Sequence, residues 1–172
     1  MRFGIDIGHN SPPDTGVKGI KYEDNLTLDV GNRVIGKLKD LGYQVIDCKP
    51  KKSSSIGDSL RRRCEAANTS KVDIFVSIHF NTLNGFANGT DIFAISDTAK
   101  KIAKPVLDEI IKIGFFNRGI KNGLHLFVLN NTNMPAILIE CCFIDSVKDM
   151  KLFNSEAMAN AIVRGLTSKL AV

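Results

Sequence analysis

Four side chains in this sequence have the types and settings that metal-assisted hydrolysis uses. His9 ends the run IDIGH, His79 ends VSIH, Glu23 opens a helical pattern at YEDNLTLDV, and Glu140 sits inside the apolar run AILIECC. Two imidazoles and one carboxylate are the donor set of a catalytic zinc shell, with a fourth position left to water. Zinc in such a shell lowers the pKa of that water from about 16 toward about 7 and polarises a carbonyl. A carboxylate outside the shell then serves as general base and acid. Glu140 suits that role, because burying an unpaired carboxylate among apolar neighbours is costly. Each residue alone also has a structural reading: a hydrogen-bonded histidine at a strand end, or a glutamate placed against a helix dipole. No HEXXH motif accompanies them. The third histidine, His125, lies in GLHLFVL and is expected to be structural or to line a pocket.

The elements that must position these residues can be read from apolar periodicity. Strands are expected at Phe3–Ile7, Tyr43–Cys48, Val72–Ile78, Thr90–Ile95, Leu124–Leu129 and Ala136–Cys142. Near-continuous runs such as VDIFVSI and AILIECC suit strands covered on both faces, as in a mainly parallel sheet. Between the strands, Leu26, Val30, Val34, Leu38 and Leu41 recur at helical steps, and Gly42 supplies a stop. Ile56, Leu60 and Cys64 mark a second helix with a cap among Ser53–Ser55. Ile102, Val106 and Ile110 mark a third, which Pro105 is expected to kink or to start. Met158, Ile162, Leu166 and Leu170 mark the last. The expected fold is a single-domain, three-layer α/β architecture, a mainly parallel six-stranded sheet flanked by helices. Ligands of such sheets bind at the carboxyl ends of the strands, and His9, His79 and Glu140 all fall there.

Composition bounds the partners. At 172 residues with 44% hydrophobic and 24% charged content, the chain is sized for one domain. The net charge of +5 admits an anionic polymer, a membrane surface or nucleic acid as partner. The basic stretches Lys49–Lys52 and Arg61–Arg63 carry no aromatics and read as solvated surface, and no nucleic-acid-binding motif accompanies them. No run approaches the ~20 apolar residues that would insert in a membrane. The opening MRFGIDIGH enters a strand pattern directly, so synthesis in the cytoplasm without a secretory signal peptide is expected. Cys48, Cys64, Cys141 and Cys142 show no metal or redox spacing and read as reduced, buried thiols.

Taken together and in order, the motifs IDIGHN, DTGVKG, YEDNLTLDV, SIHFNT, GTDIFAIS and NRGIKNGLHLFVLNNTNMPAILIECCFID resemble the zinc-dependent N-acetylmuramoyl-L-alanine amidases of the amidase-3 type. The resemblance covers essentially the whole chain, so residues 1–172 are expected to form one catalytic domain. It implies zinc as cofactor, His9, Glu23 and His79 as its ligands, and Glu140 as the catalytic residue. It also implies the reaction, hydrolysis of the amide between the lactyl group of N-acetylmuramic acid and L-alanine in peptidoglycan. The chain departs from the family pattern at NSPPDTG, where glycines are common, and at Cys141–Cys142–Phe143, a variant similar to clostridial versions of the domain. A phage endolysin or a sporulation autolysin, monomeric and reaching the wall after lysis or through a holin-type pore, fits the expected lack of a signal. The rivals are a zinc peptidase acting within the stem peptide, a wall-binding module with a structural metal, and a nucleotide-binding domain. The last lacks any GxGxxG or GxxxxGK[ST] motif.

Overall fold

Successive residues of a strand face opposite sides of a sheet, and this alternation organises the molecule. The structure, a computed structural model, describes residues 1–168. In chain order its elements are β1 (Arg2–Ile7), α1 (Glu23–Asp40), β2 (Gln44–Asp47), α2 (Ile56–Thr69), β3 (Ile74–Asn81) and β4 (Thr90–Ala94). These are followed by α3 (Asp97–Ile111), β5 (Asn117–Asn122), α4 (Phe127–Asn130), β6 (Ala136–Phe143), α5 (Val147–Leu152) and α6 (Ser155–Thr167). One six-stranded sheet runs in the order β2-β1-β3-β6-β4-β5. The first four of these are mutually parallel; β4 runs antiparallel to β6, and β5 parallel to β4.

On one face Ile5, Ile7, Val76, Ile78, Ile137 and Ile139 are all fully buried. They pack with Val30, Val34 and Leu38 of α1, Val106 and Ile110 of α3, and Met158 and Ile162 of α6, in the larger hydrophobic cluster. Burying side chains of this size contributes about 1.5–3 kcal/mol each. The other face carries a smaller cluster, Phe75, Ala136 and Leu138 under Cys64, Ala67, Val128 and Leu129 of α2 and α4. The polar strand residues lie on this second face, beyond the smaller cluster: Asp6 pairs in register with Ser77, and His79 with Glu140.

Most sequence expectations hold, with informative exceptions. Gly42 ends α1 at φ +83°, a left-handed stop in which Tyr43 N–H reaches back to Leu38 O at 3.0 Å. Leu41, placed on the buried stripe by its spacing, is instead 58% exposed at the helix cap. Ser55 caps α2 by accepting from Asp58 N–H at 3.0 Å. Pro105 does not start α3, which begins at Asp97 behind the Ser96 cap and runs on through it. Leu170 lies outside the described residues. All four cysteines are free and buried.

The strand expected at Leu124–Leu129 does not form. That segment makes a turn, Leu126 N–H to Gly123 O at 2.9 Å, and then α4, whose Val128 and Leu129 cover the sheet. Its apolar character reflects burial as a lid on the sheet. The strand there is β5, NRGIKN, a partly exposed edge strand too polar to register as one. The cysteine pair sits at an irregularity where Glu140 and Phe143 of β6 face His79 and Asn81 of β3, three steps against two. The extra residue lets Cys141 and Cys142 both join the apolar cluster.

Candidate active site

His9 follows β1 in an unusual backbone conformation. His9 and Asn10 have φ of 57° and 58°, a left-handed region costly for non-glycine residues, with about 1–3 kcal/mol of strain that surrounding contacts must hold. Asn10 supplies such contacts, donating from Nδ2 to Gly8 O and to Thr27 Oγ1, both at 2.9 Å. Gly8 has its own reason: a Cβ there would lie 2.5 Å from the His79 ring. At Gly16 a Cβ would lie 2.8 Å from the Glu23 Cβ. The two glycines therefore leave the space that His79 and Glu23 occupy.

These elements bring three residues together. His9, Glu23 and His79 each offer a donor atom, all within 4.8 Å of one another. Glu23 Oε1 lies 3.4 Å from His9 Nε2 and 3.3 Å from His79 Nδ1, and the two imidazole rings stand edge-to-face with centroids 4.9 Å apart. Glu23, the first residue of α1, is almost fully buried. Its two oxygens accept Phe80 N–H at 3.1 Å and Val17 N–H at 3.2 Å. Burial alone would raise its pKa, but the bonds to His79 and His9 outweigh that and hold it well below the usual carboxylate range. Burial likewise opposes charge on His9, yet its bonds to Asp14 and Glu23 push it up to about 10.

Glu140 stands beside this group, on the strand paired with His79. Thr90 Oγ1 holds its backbone carbonyl at 3.0 Å. Its Oε2 is buried with no hydrogen-bond partner. Burial, reinforced by the charges of Glu23 and Asp91 and opposed by the two histidines, pushes its pKa up to about 7. That value is suited to taking and giving a proton near neutrality.

Behind His9 lies a buried network that the sequence reading missed. Asp14 Oδ1 accepts from His9 Nδ1 at 2.9 Å, which turns Nε2 of that ring toward Glu23. Asp14 Oδ2 accepts from Ser59 Oγ at 2.7 Å and from Arg63 Nη2 at 3.1 Å. Arg63 also donates to Asp6, to Ile7 O at 2.7 Å and to His9 O. Asp6 in turn accepts from Ser77 Oγ at 2.7 Å. Against burial, the bonds to His9, Ser59 and Arg63 draw Asp14 down to about 2. The expectation that Arg61–Arg63 is a solvated face is therefore correct for Arg61 and Arg62, exposed and paired with Asp58, and wrong for Arg63, which is 1% exposed. The missed signal is helical: Ser59, Arg63 and Ala67 recur every four residues along the buried stripe of α2.

A cavity of about 300 Å³ opens over His9 and His79, with His125, Phe127, Leu60 and Leu138 among its walls. His125 is exposed at its mouth, its ring 5.5 Å from Phe93, so it lines a pocket as expected, from a turn instead of a strand. A wider depression of about 700 Å³ beside Lys49–Lys52 contains none of these residues.

Fold and site together define a class: an α/β domain with a metal-competent His–Glu–His cluster at the carboxyl edge of its sheet. The chain belongs to the N-acetylmuramoyl-L-alanine amidase family Amidase_3, whose pattern matches residues 4–171. Among solved structures, an N-acetylmuramoyl-L-alanine amidase from Clostridium difficile 630 superposes with a TM-score of 0.85 at 31% identity, covering 98% of this chain and 96% of that one. An endolysin of Bacillus phage SPP1 is 29% identical over 97% of this chain and 64% of its own length. The uncharacterized protein CPE1502 of Clostridium perfringens is 29% identical over 91% of this chain and 48% of its own. The chain thus spans about half the length of some curated relatives. No helix among the described residues is long and apolar enough to cross a membrane.

Proposed function

We propose that residues 1–172 act as one peptidoglycan amidase domain, cutting the amide between the lactyl group of N-acetylmuramic acid and L-alanine, with zinc held by His9, Glu23 and His79. The observation that carries this reading is the partnerless, buried Oε2 of Glu140 on the strand beside a three-residue, metal-competent cluster. The donor set fits the ion: two imidazoles and a carboxylate, with His9 oriented by a second carboxylate, Asp14, as zinc-bound histidines commonly are. Bound there, zinc would supply Lewis-acid polarisation of the scissile carbonyl and acidify the attacking water. Glu140 takes the proton of that water and returns it to the departing alanine nitrogen. Asp14 and Arg63 keep His9 in place, and the cavity wall of Leu60, Leu138 and Phe127 seats the substrate. The named amidase relatives, the net charge of +5 and the endolysin relative support action on an anionic wall after release by lysis.

The test uses purified bacterial wall. The chain should release new amino termini that are all L-alanine and leave muramic acid intact. New termini belonging to other stem residues would mark a peptidase instead. His79→Ala should lose both bound zinc, measured by elemental analysis, and turnover. Retention of full activity by that variant would remove His79 from the ligand set.

A further inference from the structure

Past Glu140 the polar face continues onto β4 and β5, where a second group of charges is built around a buried anion. Asp91 is the cross-strand partner of Glu140 and is fully buried. Its Oδ2 accepts Arg118 Nε at 3.2 Å and also Lys121 Nζ, both from the edge strand β5. Its Oδ1 is buried with no hydrogen-bond partner. The cations are not buried with it: their side chains are 29% and 39% exposed. Each rests on an aromatic ring, Arg118 at 4.9 Å over Phe143 and Lys121 at 5.6 Å over Phe93.

One buried carboxylate therefore anchors two partly exposed cations next to Glu140, and the buried Asp149 also faces the charge of Arg118. Donors remain to be used. Asp91 takes one of the three N–H groups that an ammonium carries. On Arg118, Nη1 reaches Asn88 O only at 3.5 Å, and Nη2 makes no hydrogen bond among the described residues. Anchored cations with free donors and aromatic support are preorganised for a carboxylate, since their rotamers are already held.

We propose that Arg118 and Lys121 form a subsite for a carboxylate on the peptide that leaves with the amine, a reading that rests on the amide hydrolysis proposed above. The sheet gives the ruler. Adjacent strands lie about 4.8 Å apart, so β5, two strands from β6, is roughly 10 Å from the strand of Glu140. An extended peptide advances about 3.3–3.6 Å per residue. A carboxylate on the second or third residue after the scissile amide falls at that distance, as in stem peptides with an acidic second residue.

The test compares two substrates on the full chain: N-acetylmuramoyl-L-alanyl-D-glutamate and the same compound with both glutamate carboxylates converted to amides. The wild type should prefer the free acid by about tenfold in kcat/KM, chiefly through KM, as a charge-assisted bond in a partly exposed site allows. Lys121→Met and Arg118→Gln should each collapse that ratio toward one, and Arg118→Lys should keep part of it. Lys121→Met leaves Asp91 paired with Arg118, so it remains informative if the arginine variants fold poorly. A wild-type ratio near one, or a ratio that survives both variants, would overturn the subsite. Should neither compound be hydrolysed, the amidase reading itself fails. Calorimetry with L-alanyl-D-glutamate and its diamide then still reads the subsite: tighter binding of the acid, lost in Lys121→Met, supports it, and equal binding of the two overturns it.

Discussion

The two faces of the sheet are made by the same strands and differ in almost everything else. Along β3, Val76 and Ile78 point to one side and Ser77 and His79 to the other; along β6, Ile137 and Ile139 oppose Glu140. Burial does not distinguish the faces, since Asp6, Ser77 and Asp91 are as fully enclosed as Ile5 or Ile139. The difference lies in how the buried groups are satisfied. The apolar face needs only volume, and three long helices supply it. On the polar face each charge needs a particular partner, and Arg63 supplies several while Asp91 and Glu140 each keep a buried, unpartnered oxygen. A well-packed apolar face thus keeps the strands in register, so that the polar face can hold charges at fixed separations.

Substitutions can break this contrast, and the largest effect should come from Glu140→Gln. It should lower turnover by about 10²–10⁴-fold, the range for losing a general acid–base group, while zinc content and thermal stability stay near wild type. Its pKa near 7 adds a pH signature. Glu140 works as a base only when deprotonated, so wild-type kcat/KM should fall as pH drops through about 7, and a bound dication beside it should pull that limb lower. The limb should vanish from the residual activity of Glu140→Gln; its persistence there would assign it to another group.

Next in size is Arg63→Met, which leaves Asp6 and Asp14 buried without their cation. It should cost about 3–5 kcal/mol in denaturant unfolding. A loss below about 1 kcal/mol would place Arg63 with the exposed surface pairs instead.

Asp14→Asn should act through His9, weakening zinc affinity about 10–100-fold in competition with a chelator. It should also flatten acid unfolding. Because the folded pKa of Asp14 is depressed, its stabilisation is present above the ordinary 3.8 and is lost as pH falls through about 2. An acid transition identical to the wild type would argue against its pairing with His9 and Arg63.

The smallest effect belongs to the apolar face. Ile139→Val, one residue from Glu140 and pointing the opposite way, should cost about 0.5–1.5 kcal/mol of stability. Its kcat should match the wild type at temperatures where both are folded. A kcat change rivalling that of Glu140→Gln would mean that the faces are coupled.

Much of this was legible in the chain itself. Continuous apolar runs marked the parallel strands, because a strand covered on both faces has no polar alternation to show. A strand that pairs at the rim carries no such mark, which is why the more apolar GLHLFVL, and not NRGIKN, reads as a strand in the sequence. Among the site residues, His9, Glu23, His79 and Glu140 stood out because their types are chemically demanding and their settings place them at strand or helix ends. Asp14 and Asp91 did not stand out, because a buried aspartate and a solvated one look alike in a one-dimensional string. Arg63 was hidden by two exposed arginines beside it, although its four-residue spacing from Ser59 and Ala67 pointed inward.

By itself the sequence determined the α/β alternation and the donor types at the sheet edge. These depend on local sterics and on apolar periodicity, both written residue by residue. Only the tertiary structure decided which carboxylate meets which cation. Those partners lie far apart in the chain, Asp6 with Arg63 and Asp91 with Lys121. Electrostatic energy in a buried site depends on distances that strand order and register create, and no spacing along the chain encodes them.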